Sequence, residues 1–592
     1  MNTEYSLLDC AYKHILYKRI PHEVSSSKSI DIKVLKGEKF AFQMMLGFDT
    51  DCTVSIGKHP YIGWQGLNGR ARVEVTSDYG ADISAFFIGY VKDDCGSLTA
   101  DPILPDPCQD FEAGVPRMVW IEGMVPHDFS GDKLQIGIKV YCQSGYEDES
   151  LEIDNDIEVS VADIRLQPLQ NSSFHLDLWQ HPSNWARLYN APLWSETHWD
   201  IIENNLKELS SIGEKVVTVI ASDYPWAGQT CYKFPKNASN LFEYNMVGVK
   251  RSIDGRIECD FSVVDRYIGL CAKCGIDSEI NIFGLMGNWD AFSFGNPVPE
   301  YNDPIRVSVY DEAKGSFSFI RNIDELSQYI RLLFEYFIQR GLWDKTFVMS
   351  DEPNNSDIFS KGVEFLNSCS GRKKVLLKSA LHDEKFLQES LSHIDSVSFN
   401  AELTIKSFDK LQDVKHNING KGGKLTWFVC CFPDRPNNFI GSPLVENMLM
   451  GWLTYYFEMD GFLRWDYAIW PSDPWNEPSY KFPRWRAGDM FFVYPGKDKK
   501  PVRSIRWENL KFGIQDFELF KEAEKHGVSK DEIHSILSFA LGKKSDMRIE
   551  TLENYKYKVG MDYSLDYSKY KKAKAALIDK ISRGDKFGKT KS

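Results

Sequence analysis

The chain has 592 residues, which is too long for one hydrophobic core, so two or three domains are expected. Its 84 Asp and Glu outnumber its 70 Lys and Arg and leave a formal net charge of -14, which argues against a nucleic-acid partner because phosphate binding draws on clustered cations. No apolar run reaches the roughly 18 residues that a membrane helix needs. The first residues, MNTEYSLLDCAYKHI, do not resemble a signal peptide. We therefore expect a cytoplasmic protein with no membrane partner.

Residues 1–168 consist of short stretches in which apolar and polar side chains alternate, separated by Gly, Pro, Asp and Asn. Alternation with a period of two, interrupted by turn residues, is typical of strands with one buried face. The stretches are FAFQMMLGF, ARVEVTS, AFFIGYV, MVWIEGMV, KLQIGIKVYC and IEVSVADIRL. They predict an N-terminal antiparallel β-sandwich over residues 1–168.

The pattern changes after Pro168, where apolar strands alternate with helical segments. Eight strands are predicted, and they begin at Phe174, Val216, Ser278, Phe347, Val375, Ile394, Leu425 and Gly461. The helices that follow them include one near Ile405 to Lys415 and a last one near Ile514 to Lys525. Eight such units predict a (β/α)8 TIM barrel over residues 169–525, followed by a C-terminal helical extension over residues 526–592.

Two connections in the predicted barrel are longer than ordinary loops. They run from Ser222 to Asp260 after strand two and from Gly284 to Asn322 after strand three. Long connections on a rigid scaffold often carry binding residues, so we predict that both contribute to substrate binding.

The active site of a barrel lies at the carboxyl ends of its strands, which makes the residues after each strand candidates. Strand four ends in the adjacent carboxylates Asp351 and Glu352. Trp179 and Trp465 follow the neighbouring strands one and eight. For any single Trp, core or loop packing is the better explanation, but an aromatic wall beside a carboxylate pair suits a saccharide. The full set of predicted substrate contacts is Trp179, Trp289, Asn400, Trp465, Asp466 and Tyr467.

Cleavage of a glycosidic bond needs a carboxylic acid that protonates the leaving oxygen and a second group that stabilises the positive anomeric carbon. The second group is either another carboxylate, for which Asp434 after strand seven is the local candidate, or the 2-acetamido oxygen of the substrate. In the second route, Asp351 would orient the acetamido group and Glu352 would be the acid, with a pKa raised by partial burial and by the charge of Asp351. A structural role is also open, because an Asp before a helix often caps it.

Four long stretches carry a family resemblance: FHLDLWQHPSNWARLYNAPLWSETHW, FVMSDEPN, CCFPDRPNNFIGSPLVENMLMGWLTYYFEMDGFLRWDYAIWPSDPW, and GDMFFVYPG with SIRWENLKFGIQDFELF. They resemble the catalytic domain of glycoside hydrolase family 123 and its wider relatives, known as domain of unknown function 4091. The similarity runs from about Phe174 to about Phe520. That family also carries a β-sandwich before its catalytic domain.

The resemblance implies a retaining β-N-acetylhexosaminidase, similar to an N-acetylgalactosaminidase, that forms an oxazolinium intermediate and uses no metal or cofactor. It implies that Asp351 orients the acetamido group, that Glu352 is the acid/base, and that Trp465 and Tyr467 contact the sugar. The implied substrate is an oligosaccharide or a sugar of a glycoconjugate. Two alternatives stay open. One is a glycosidase for a sugar without an acetamido group, with Asp434 or Asp466 as second carboxylate, and the other is a non-catalytic carbohydrate-binding protein.

Overall fold

The structure is a computed structural model. It describes residues 1–58, 69–78, 82–225, 242–286, 293–294, 304–480, 485–544, 547–552, 556–560 and 562–588. One predicted substrate contact, Trp289, lies outside the described residues, as do parts of both long connections.

The N-terminal part contains two sheets. The five-stranded sheet is antiparallel throughout and consists, in spatial order, of Thr3–Asp9, Lys39–Phe48, Arg117–Met124, Asp82–Lys92 and Leu98–Leu104. The six-stranded sheet has the order Ile32–Lys36, Ser150–Arg165, Lys133–Ser144, Gly69–Ser77, Cys52–Ile56 and Cys108–Phe111. The first two strands of that list pair in parallel, and so do the fourth and fifth. The prediction of purely antiparallel pairing is therefore wrong for these two pairs, because alternation reports which face is buried and not strand direction.

Alternating side chains of the two sheets meet in one buried cluster. Phe42 and Met44 of the five-stranded sheet and Ile136 and Val159 of the six-stranded sheet belong to it, and all four residues are 0% exposed. The core of the N-terminal part thus lies between the sheets.

The central part is a parallel eight-stranded sheet that closes nearly into a TIM-like barrel, and all eight predicted strands are present. We number them barrel strands one to eight in chain order: His175–Leu178, Val216–Ile220, Glu279–Phe283, Thr346–Asp351, Leu376–Leu381, Ser396–Asn400, Leu425–Phe428 and Gly461–Arg464. Strands one and two are the two ends of the sheet, and they meet where the backbone N–H of Lys215 donates to the carbonyl of Leu176 at 3.1 Å. The strands are almost entirely buried, which explains why they are continuous apolar runs in the sequence.

Helices connect the barrel strands and follow the last one. They are Pro182–Leu188 with Glu196–Ile212, Ser262–Lys273, Ile323–Gln339, Ser356–Cys369, Glu384–Ser390, Ala401–Lys406 with Leu411–Gly420, Val445–Tyr456 and Ile505–Lys525. Short 3-10 turns cover Leu169–Asn171, Trp343–Lys345, Leu391–His393 and Phe408–Lys410, and a four-residue helix, His22–Ser25, lies in the N-terminal part.

Two of the predicted helices differ from the structure. The one near Ile405 to Lys415 is two helices separated at Ser407 by a 3-10 turn. The last one begins at Ile505, capped by the Ser504 side chain, and not near Ile514. Every residue of its first sixteen positions is buried, including charged ones such as Arg506 and Glu508, so the helix lacks the single solvent-exposed polar face by which a surface helix is detected.

The two long connections form one structure together. Gly248–Arg251 and Ile257–Asp260 of the first pair with Ser308–Asp311 and Ser316–Phe319 of the second in a four-stranded sheet. Smaller two-stranded pairings join Tyr224–Pro225 to Phe242–Glu243, Ser293–Phe294 to Pro304–Ile305, and Tyr494–Pro495 to Pro501–Val502.

The C-terminal part contains the helices Lys530–Leu541 and Tyr567–Gly588 and a hairpin, Arg548–Leu552 with Lys556–Gly560, that the prediction of a purely helical extension missed. The last helix reaches back to the first strand of the chain, where the Lys571 ammonium lies 2.7 Å from Asp9. Among the described residues, no helix is both long and apolar enough to cross a bilayer.

Candidate active site

The two predicted catalytic carboxylates lie at the carboxyl end of barrel strand four. Asp351 is the last residue of the strand, and the backbone N–H of Glu352 donates to the carbonyl of Ala380 on strand five at 3.0 Å. Both residues are partly exposed, and 32% of the Glu352 side chain is accessible to solvent. The pair is therefore within reach of a ligand at the mouth of the barrel.

Glu352 has an unusual backbone conformation, with a φ of 43° in the left-handed region that residues other than glycine rarely adopt. Such a conformation costs on the order of 1–3 kcal/mol and occurs preferentially at functional sites. The following helix is capped by Asn355, whose side-chain oxygen accepts from the N–H of Ile358 at 3.0 Å. The capping role considered for Asp351 is therefore wrong.

His382 lies beside the predicted acid and was missed by sequence reasoning. It directly follows strand five, and its Nδ1 is 3.9 Å from Oε1 of Glu352. The signal was available, since a polar residue directly after a barrel strand is a candidate by the same rule that singled out Asp351.

Barrel strand seven is followed by two thiols. The Sγ atoms of Cys430 and Cys431 are 3.9 Å apart. The contact with Cys431, burial, and the negative charges of Glu352 and Asp489 raise the pKa of the Cys430 thiol well above its ordinary value. Cys430 is thus an uncharged group just beyond the carboxyl end of strand seven. The nearest carboxylate in sequence, Asp434, has a side chain that is 63% exposed and lies 3.4 Å from the Arg486 guanidinium.

Barrel strand eight ends in a buried charge cluster. The Arg464 guanidinium donates to Asp489 at 2.7 Å and to Asp466 at 3.3 Å, and all three side chains are fully buried. Burial raises the pKa of Asp466 well above its ordinary value, although Arg464 opposes the shift. Burial likewise raises the pKa of Asp489, to about 6. Trp465, between Arg464 and Asp466 in sequence, is only partly buried.

The remaining residues that were predicted to contact the substrate differ in how deeply they are buried. Trp179 is 1% exposed and packs edge-on against Phe283, with ring centroids 4.9 Å apart. Tyr467 has no exposed surface and packs against Trp507. Asn400 is partly exposed, and its Oδ1 caps the following helix.

The predicted site therefore divides into two groups. The structure places Asp351, Glu352, Asn400 and Trp465 at strand ends with accessible surface, whereas Trp179, Asp466 and Tyr467 are buried behind it. Strands one and eight are neighbours as predicted, since the N–H of Trp179 donates to the carbonyl of Arg464 at 3.2 Å. In the described part of the chain, no group of three or more His, Cys, Asp or Glu side chains is arranged to hold a metal ion.

The model of the family described as "Glycoside hydrolase 123, catalytic domain" matches residues 179–523 of this chain. The chain belongs to glycoside hydrolase family 123. This family 123 protein is therefore a glycosidase, and the matched residues include barrel strands two to eight and most of the last barrel helix.

Solved structures agree with the family at the level of the fold. A family 123 glycoside hydrolase from Clostridium perfringens, studied for glycolipid glycan hydrolysis, is similar over 100% of both chains, with a TM-score of 0.77 and 17% identity. The β-glucuronidase 2 of Bacteroides uniformis covers 84% of this chain and 49% of its own, at 10% identity and a TM-score of 0.30, which is too low to carry an argument. No curated protein matches the sequence.

Proposed function

We propose that this family 123 protein is a retaining β-N-acetylhexosaminidase, similar to an N-acetylgalactosaminidase, that uses the acetamido group of its substrate as the nucleophile. Asp351 orients the acetamido N–H, and Glu352 is the general acid and base. The observation that carries the proposal is that adjacent carboxylates lie at the end of strand four, while two thiols follow strand seven.

The backbone at Glu352 supports a joint role of the two carboxylates. Successive side chains of a strand point to opposite faces, so two adjacent residues cannot both face the interior of a barrel while the strand continues. The left-handed φ of Glu352 interrupts this alternation directly after Asp351. Both side chains can then serve one ligand, as the acetamido group and the glycosidic oxygen, on adjacent ring carbons, require.

The surroundings of the other carboxylates disfavour the two-carboxylate route. Asp434 is exposed at the rim and paired with Arg486. Asp466 is fully buried, and burial raises its pKa well above the ordinary value, so it is a poor anionic nucleophile. The thiol of Cys430 is uncharged because its pKa is also raised. None of these groups is suited to be the nucleophile, and the acetamido oxygen of the substrate takes that role.

The reaction then proceeds in two steps at one carbon. The acetamido oxygen attacks the anomeric carbon while Glu352 donates its proton to the leaving oxygen, and Asp351 stabilises the positive charge that develops on the acetamido nitrogen. In the second step, Glu352 accepts a proton from a water molecule. This water attacks the anomeric carbon on the face opposite the oxazolinium oxygen and so opens the ring. Two inversions retain the configuration.

The broader setting of the activity is also part of the proposal. We assign a β-sandwich to residues 1–168, a (β/α)8 catalytic barrel to residues 169–525 and a C-terminal extension to residues 526–592. The substrate is an oligosaccharide or a glycoconjugate-derived sugar, and the cytoplasm stays the predicted compartment. Trp465 and Asn400, which are partly exposed, contact the sugar, whereas the buried Trp179 and Tyr467 support them from behind.

The decisive experiment uses an N-acetyl thiazoline, which mimics the oxazolinium intermediate. Its inhibition constant should be far lower than the dissociation constant of the parent sugar, because analogues of a high-energy species bind 10²- to 10⁸-fold tighter than substrates. Asp351→Asn should lower kcat strongly, and Asp434→Asn, the matched exposed carboxylate, should leave kcat near that of the wild type. A covalent adduct with an activated 2-fluoro glycoside on Asp434 or Asp466, together with indifference to the thiazoline, would contradict the proposal.

A further inference from the structure

His382 lies at the mouth of the barrel, directly beside the predicted acid. It follows the last residue of barrel strand five, and its Nδ1 is 3.9 Å from Oε1 of Glu352. Strands four and five are hydrogen-bonded neighbours, and Asp351 pairs with Ala380 in their register. The N–H of Glu352 donates to the carbonyl of the same Ala380 at 3.0 Å. A direct distance and the pairing of two adjacent strands therefore place the imidazole beside the acid.

The imidazole of His382 is accessible to a ligand. Its side chain is 43% exposed, and that of Glu352 is 32% exposed. Within the part of the chain that the structure describes, neither ring nitrogen makes a hydrogen bond, since 3.9 Å is too long for one to Glu352. The next residue, Asp383, caps the following helix and accepts from the N–H of Phe386 at 2.6 Å. The start of that helix therefore does not depend on the His382 side chain.

The proposed reaction brings the leaving group to this side chain. A general acid must come within about 2.6–3.2 Å of the oxygen that it protonates. An oxygen that takes its proton from Oε1 of Glu352 then lies within about 7 Å of Nδ1 of His382. The leaving group carries that oxygen, so the atoms next to the cleaved bond come within reach of the imidazole. In a leaving sugar, the carbons next to the linked carbon carry hydroxyls, and a neutral imidazole offers one donor and one acceptor to them.

We propose that His382 binds a hydroxyl of the leaving sugar next to the linked carbon, and that it thereby makes the enzyme specific for a hexosamine joined to another sugar. The inference rests on the proposed function, because it takes Glu352 as the acid. A hydrogen bond is directional, so this contact selects the position of a hydroxyl and not merely a bulky leaving group. His382 binds the leaving sugar and takes no part in the proton transfer itself.

The test is a double-mutant cycle between protein and substrate. The parent substrate is a disaccharide in which the N-acetylated hexosamine is linked to a ring carbon with a hydroxyl on each side, and two deoxy forms each lack one of these hydroxyls. For one of the two deoxy forms, the ratio of kcat/KM for the parent to that for the deoxy form should be about two- to tenfold smaller in His382→Ala than in the wild type, the range for one net hydrogen bond. Partners of one contact are not additive, whereas the effect of the deletion on the leaving group itself is common to both proteins and cancels.

His393→Ala is the matched control. His393 is also an exposed histidine, but it precedes strand six, which begins at Ser396, and so lies towards the opposite end of the barrel. Its substitution should leave both ratios as they are in the wild type. Because His382 is exposed, His382→Ala should melt like the wild type.

Equal ratios in wild type and His382→Ala for both deoxy forms would overturn the contact. An equal loss on all three substrates would mean that His382 acts on Glu352 and not on the leaving sugar. The wild type gives a check that needs no variant, since equal kcat/KM for all three disaccharides would also show that neither hydroxyl is bound. Failure of the proposed function gives a different result, because the wild type would then cleave no N-acetylated disaccharide. The same three substrates, made with the sugar that the wild type does cleave, then decide on His382.

Discussion

Replacing Lys378 by Met should destabilise the barrel strongly, because it removes the cation from a buried charge cluster. Lys378 belongs to strand five and has no exposed surface. Its ammonium donates to Asp177 of strand one at 2.6 Å and to Glu279 of strand three at 2.5 Å. Nε2 of His175 lies 3.2 Å from the other oxygen of Glu279. Met fills nearly the same volume, so the change removes charge and hydrogen bonds and leaves the packing almost intact.

The magnitude follows from the burial of both carboxylates. Removing one partner of a buried ion pair typically costs about 3–5 kcal/mol, because an uncompensated charge stays in the interior. Here two carboxylates lose a shared cation, so we expect the free energy of unfolding to fall by an amount at the upper end of that range at neutral pH. Native stabilities of about 5–15 kcal/mol make this a large fraction of the total.

The loss should depend on pH with a definite sign. In the wild type, burial raises the pKa of Asp177 although Lys378 opposes the shift, and for Glu279 the charges of Lys378 and His175 outweigh burial and hold its pKa well below the ordinary value. Without Lys378, less positive charge opposes burial, so both folded-state pKa values rise and that of Asp177 moves further above its unfolded value. The folded variant then binds more protons than the unfolded chain, and its stability falls as the pH rises. The defect should therefore be smaller near about pH 5 than near about pH 8.

Urea unfolding of wild type and variant at both pH values measures the effect. Lys406→Met is the control, because Lys406 pairs with Glu402 one helical turn away and its side chain is half exposed. Such surface pairs contribute about 0.3–0.5 kcal/mol. A Lys378→Met midpoint that matches this control at both pH values would refute the argument that the cluster holds the barrel together.

Two further predictions concern the site. Glu352→Gln should abolish most activity on substrates with poor leaving groups and much less on activated aryl glycosides, because only a poor leaving group needs a proton. Steady-state kinetics on both types check this, and equal losses would remove Glu352 from the role of acid. Trp465→Ala should weaken substrate binding by about 1–3 kcal/mol, the range for losing an aromatic contact. Unchanged kcat and KM in a folded variant would exclude Trp465 from the sugar site.

The barrel could be predicted because its strands carry their signal locally. A strand buried on both faces in a parallel sheet is a continuous apolar run, and eight such runs separated by helices were enough to place strands such as Thr346–Asp351 within a few residues. The candidate carboxylates followed from the same pattern, since the end of a strand locates the mouth of a barrel. The last helix, Ile505–Lys525, was placed too late because burial on all sides removes the amphipathic signal.

What the sequence determined by itself was thus the order of strands and helices, the position of Asp351 and Glu352 at a strand end, and the family. Only the tertiary structure decided how deep each candidate lies and which groups surround it. Asp466 and Trp465 are adjacent in sequence, yet Asp466 is fully buried and Trp465 is partly exposed. Burial depends on segments that are distant along the chain, such as the loop that brings Asp489 to Arg464. Contacts of that kind leave no local periodicity, so the burial of Asp466 beside an accessible Trp465 could not be predicted from the pattern.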